Sequence, residues 1–134
     1  MAALDAPSSF ERNDGLAPSL SPEVVVALLL DPHSRRIVMS TIERGKTVEE
    51  IQAETGIPLS TCYRKVAGLL GSHVLFVERS ILTASGKKYA LYRSAIASIR
   101  IEMRLGDLSV SVSPNPEVAE KLRLEWLSGR PTRP

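Results

Sequence analysis

Apolar residues fall at helical spacing through the first half of this chain and switch to strand alternation in the second, and each change of period marks an element. Leu59, Cys62, Val66, Leu69 and Leu70 recur every three or four residues, so 59–70 predicts an amphipathic helix whose other side carries Ser60, Thr61, Arg64 and Lys65. Ahead of it, Thr47 is followed three residues later by Glu50. That spacing lets hydroxyl and carboxylate cap each other's backbone N–H at a helix start. Gly56 ends this shorter helix, and Pro58 prevents the ladder from continuing into the next. Further upstream, PEVVVALLL follows Ser21 as N-cap, with Pro22 at the first helical position. Its unbroken apolar run implies burial on more than one side, partly against a second subunit. Asp31 and Pro32 repeat the cap-plus-proline signal and open a second helix that runs through Ile42 and is closed by Gly45.

After His73 the period becomes two, with Val74, Phe76 and Glu78 on one side and Leu75, Val77 and Arg79 on the other. Two turns can form the tip of the resulting hairpin, one at 78–80 and one at Ser85 and Gly86. Residues 89–105 fit two periods. Tyr89, Tyr92, Ile96, Ile99 and Met103 have heptad-like spacing, whereas Ile99, Ile101 and Met103 alternate with Arg100, Glu102 and Arg104. Leu108, Val110 and Val112 alternate with serines beyond a Gly106–Asp107 turn, and a strand there needs a partner, so the expectation is a hairpin of 96–104 with 108–113. Asn115 and Pro116 then open a last helix, PEVAEKLRLEWLS, stopped at Gly129. Its apolar face of Val118, Ala119, Leu122, Trp126 and Leu127 packs on its own domain or, the preferred reading, on a two-fold symmetry mate.

The chain has 134 residues, 43% of them apolar and 24% charged, as expected of one globular unit. No apolar run reaches membrane-spanning length and no secretory signal is visible, so a cytoplasmic protein without membrane contact is expected. A single cysteine agrees with a reducing compartment. The net charge of +2 conceals a division: residues 1–32 carry about −4 and residues 33–104 roughly +6, so the central block is the candidate polyanion-binding unit. Met1 to Ser21, rich in Ala, Ser, Pro and Asp, reads as a flexible arm.

Three segments in order, LLLDPHSRRIVMSTI, GIPLSTCYRKVAGLL and HVLFVERSILTASGKKYALYRS, resemble the ArsR-like winged-helix transcription regulators. The first looks like the segment that precedes the helix-turn-helix in that family, where a Leu-x-Asp-Pro-x-x-Arg-x-x-Ile pattern is usual, the second like the turn and recognition helix, and the third like the wing as found in archaeal-type members. The resemblance spans about residues 23–94 and implies an α+β winged helix-turn-helix at 22–95, flanked by the arm (1–21) and by a C-terminal β-hairpin and terminal helix (96–134). It also implies a dimeric, sequence-specific regulator of double-stranded DNA, with 58–70 in the major groove and the wing on the backbone. Two departures stand out. Gln52 occupies a position that is usually small where the two helices cross, so it must open the crossing or snorkel outward. TVEEIQAET also lacks the paired cysteines of the metal-sensing members.

The candidate DNA-binding residues are therefore Ser60, Thr61, Tyr63, Arg64 and Lys65 on the recognition helix, with Arg64 placed to read a guanine bidentately. Tyr63 either sends its hydroxyl to a phosphate or packs in the core. Arg79, Lys87 and Lys88 belong to the wing, and Arg35 and Arg36 either clamp phosphate or pair with nearby acids. Cys62 reads as a small core residue. His33 and His73 share no ligand spacing, so neither a metal nor a cofactor is expected. No phosphate loop or nucleophile–base pair suggests an enzyme. The alternative function is a winged-helix protein-interaction module in a transcription-related assembly. A small effector between wing and C-terminal hairpin has no residue that specifies it.

Overall fold

A computed structural model of the protein describes residues 21–118. It has the expected mixed α+β composition: helices α1 (Pro22–Leu30), α2 (Pro32–Ser40), α3 (Val48–Thr55) and α4 (Leu59–Gly71), then strands β1 (Leu75–Leu82), β2 (Lys88–Ser94), β3 (Ile96–Arg104) and β4 (Asp107–Pro114). The strands form two separate antiparallel pairs, β1 with β2 and β3 with β4. None of the described helices is long and apolar enough to cross a membrane.

Capping explains most of the helix boundaries. Ser21 Oγ accepts from the Val24 N–H at 3.2 Å. Asp31 ends α1 and begins α2: its own N–H bonds the Ala27 and Leu28 carbonyls, while its carboxylate accepts from the His33 N–H and, at 2.7 Å, from the Ser34 hydroxyl. At α3 both arms of the Thr47–Glu50 capping box are made, at 2.9 and 3.1 Å. Gly56 closes α3 at φ 76°, in the left-handed region that favours glycine.

Two helical expectations need correction. α2 stops at Ser40 rather than continuing through Ile42, because the buried Thr41 hydroxyl bonds back to the Ile37 and Val38 carbonyls, both at 3.0 Å, in competition with the next turn. Gly45 is not the terminator. A Cβ there would lie 2.5 Å from Glu78 Oε1 and 3.3 Å from Leu91 Cβ, so glycine permits close approach of this loop to β1 and β2. Leu59, assigned to the buried stripe of α4, is exposed. Ile57 in the turn takes the core position instead, and the stripe starts at Cys62 and continues through Val66, Leu69 and Leu70.

The first hairpin settles which turn is its tip. Leu82 pairs with Lys88, Gly86 has φ 88°, and 78–80 lies inside β1, with a bulge at Glu78 where the register shifts between Val77 and Arg79. The expected alternation fails at the start of β1, since Val74, Leu75 and Phe76 are all buried. Both sides of the chain are covered there, so no side is free for polar residues. Residues 89–105 are two strands rather than a helix, separated by the buried Ala95. The second hairpin matches the expected one, turning at Gly106 (φ 79°). A bridge between Lys46 and Tyr92, at 3.0 and 2.8 Å, holds the loop before α3 against β2.

Asn115 Oδ1 accepts from the Glu117 N–H at 3.2 Å within a turn at 116–118. Its Nδ2 also donates to the Ile42 and Ser94 carbonyls, fastening the end of the second hairpin to the helical layer. Most of the expected arm (1–21) and of the terminal helix lies outside the described residues.

Candidate nucleic-acid interface

α4 presents two chemically distinct sides. Cys62, Val66, Leu69 and Leu70 are buried, whereas Ser60 and Arg64 are exposed and Thr61 is half-buried. Burial pushes the Cys62 thiol pKa up, so it stays a protonated core side chain rather than a reactive thiolate. Gln52 on α3 is half-buried, between the two alternatives the sequence allowed.

Arg64 has no carboxylate partner among the described residues, and the same holds for Arg36, Arg79, Lys87 and Lys88. Lys65 differs, because its Nζ lies 2.6 Å from Asp31 Oδ2. The Lys65 hydrogen bond, with that of Ser34, holds the Asp31 pKa well below the usual carboxylate range, at about 2 rather than 3.8. Lys65 therefore ties α4 to the start of α2. A folded-state pKa below the unfolded one contributes stability that is present above pH 3.8 and is lost as pH falls towards about 2. With solvent screening at this partly open site, Asp31→Asn should cost about 1 kcal/mol at neutral pH. Its pH–stability curve, followed by urea unfolding, should fall less steeply than the wild type's over that window.

Tyr63 is exposed and its hydroxyl donates to Glu49 Oε2 at 2.9 Å; this bond is the main reason its pKa is raised. Tyr63 also lines a hollow of about 280 Å³ together with Lys87 and Lys88. α4 and the tip of the first hairpin thus share one surface, where Lys87 Nζ sits 5.9 Å from the Tyr89 ring centre. Arg79 lines a different hollow, with Arg44 and Gly45. On α2, Arg36 is exposed, while Arg35 Nη1 donates to the Leu29 carbonyl and so is engaged within the fold.

Sequence reasoning missed two residues that shape this surface, Glu49, which holds Tyr63, and Asp31 as the partner of Lys65, and one that organises the fold away from it, Arg93. The last is buried and donates to the Ile42 carbonyl, to Glu78 and to Glu117. Burial alone would lower the Arg93 pKa, but the bonds to Glu117 and Glu78 outweigh it and raise it. The Asp31 cap was visible in the sequence, but nothing in the spacing linked it to Lys65. No cluster of three or more potential metal ligands occurs among the described residues. Comparison with protein-family models, curated proteins and solved structures finds no match to this chain.

Proposed function

We propose that the protein is a sequence-specific double-stranded DNA-binding transcription regulator of the winged helix-turn-helix type. In this reading α3, the turn at Gly56 and α4 are the helix-turn-helix, and β1–β2 is the wing. The observation that carries it is the outward face of α4: exposed Ser60, half-buried Thr61 and an exposed Arg64 with no acidic partner among the described residues lie opposite a buried stripe. Hydroxyls and a guanidinium suit phosphate oxygens and the acceptor edge of guanine in a major groove. The hollow shared by Tyr63, Lys87 and Lys88 supports a backbone contact beside the helix, since one duplex laid along α4 would meet the tip of the first hairpin. Two copies would set two α4 helices about 34 Å apart, one turn of duplex.

Selection of bound sites from a random duplex pool, followed by titration of the winning site at several salt concentrations, tests this reading. A palindromic site with a steep salt slope is expected. Weak, sequence-blind binding would sink it and favour a protein-interaction module. Replacing Lys87 and Lys88 together by alanine should weaken every duplex alike and reduce the salt slope by roughly two ions. An unchanged slope would remove β1–β2 from the interface.

A further inference from the structure

The second hairpin is amphipathic. Ile99, Ile101 and Met103 pair with Val112, Val110 and Leu108, and directly opposed residues project from the same face. Arg100, Glu102 and Arg104, opposite Ser111, Ser109 and Asp107, form the other face. The apolar face is covered at its base, where Val110 and Val112 are 1% and 2% exposed, and open towards its tip, where Met103 is 80% and Leu105 91% exposed. Ile101 and Leu108 remain 41% and 43% exposed. At the base lies an apolar groove of about 180 Å³, lined by Leu29, Val38, Met39, Ile42 and Ile99, with Met39 65% exposed.

We infer that this face is the contact between two copies of the chain, the hairpin tip of each seated in the groove of the other. Tip and groove belong to one strand, since Ile99 and Met103 are about 13 Å apart along β3. A hairpin cannot reach its own base, so a tip that enters such a groove enters another copy's. Reciprocal exchange of this kind is what a two-fold interface requires, where residue i meets j and j meets i. At roughly 200 Å² for a large side chain, the open parts of the tip residues and Met39 amount to about 650 Å². One partner of a standard interface contributes about 800 Å². The charged face stays in water. The inference rests on the two-copy part of the proposed function and not on DNA binding.

The test is the solution mass of the full chain, measured by light scattering without DNA across micromolar concentrations. Wild type is expected at twice the chain mass of 14.6 kDa. Met103→Glu with Leu105→Glu, and separately Met39→Lys, should each give the single-chain mass with an unchanged far-ultraviolet spectrum, because all three positions are open in one chain. Mixing these two variants should restore the doubled mass, since the mixed pair keeps one native tip in one native groove and sets Glu beside Lys at the other. A single-chain mass for wild type, or a doubled mass in both variants, overturns the inference. So does a dimer that survives the tip changes but disappears when residues 119–134 are removed, which would locate the contact there.

Discussion

Arg93→Met is expected to destabilise the protein by about 3 kcal/mol and to lower its melting temperature by roughly 10 °C. From β2, Arg93 reaches three segments at once. Nε and Nη2 donate to the Ile42 carbonyl after α2 at 3.1 and 3.0 Å, Nη1 meets Glu78 in the β1 bulge at 2.9 Å, and Nη2 meets Glu117 beyond β4. Methionine fills much of the same volume, so the expected loss is mainly electrostatic. Removing one partner from a buried pair costs about 3–5 kcal/mol when the other is left uncompensated. Here Glu117 is largely open to water, and Asn115 Nδ2 still serves the Ile42 carbonyl at 2.9 Å, which places the cost at the low end. Arg93→Lys should lie between wild type and methionine, because lysine keeps the charge without the planar fork. Glu117→Gln should cost under about 1 kcal/mol, as an exposed partner does. Thermal melts followed by circular dichroism decide it, and a methionine variant melting within about two or three degrees of wild type would show that the polar contacts of Arg93 add little to holding the three segments.

The contrast between Arg93 and the helix caps shows which parts of the fold could be read from residues alone. Caps are local. Ser21, Asp31, Thr47 with Glu50, and Gly56 act within four residues of their own position, so spacing in the sequence is spacing in the helix, and those boundaries were legible. The second hairpin was legible for a similar reason, because strict alternation beside a glycine turn leaves few alternatives. What could not be read depends on partners distant in sequence. Gly45 looked like a helix stop but answers to Glu78 and Leu91, and Leu59 lost its core position to Ile57, which no periodicity includes. The same limit divides the candidate interface. The outward side of α4 followed from the period of its stripe, but Lys65 is drawn to Asp31 and Tyr63 to Glu49. Of the recognition-helix cations proposed from sequence, this leaves Arg64 without an acidic partner among the described residues.

Arg64→Ala is therefore expected to weaken binding to the selected duplex by about 5- to 150-fold, equivalent to about 1–3 kcal/mol, and to relax preference at one base pair. The substitution should leave the fold intact, because Arg64 is exposed and has no hydrogen-bond or ion-pair partner among the described residues to lose. Lysine at this position separates base reading from charge. It preserves one positive charge, and with it the salt dependence, but cannot present two parallel donors to guanine O6 and N7. Arg64→Lys should thus bind random duplex as wild type does while losing most of the advantage of the selected site. Equal losses on selected and random duplex for both variants would make Arg64 a phosphate contact and move sequence reading to Ser60 and Thr61. Lys65→Ala is a poorer probe of the same question, since breaking its bond to Asp31 also loosens α4 from α2 and mixes stability with affinity. Competition titrations at one fixed salt concentration, with unfolding curves measured in parallel, keep these effects apart.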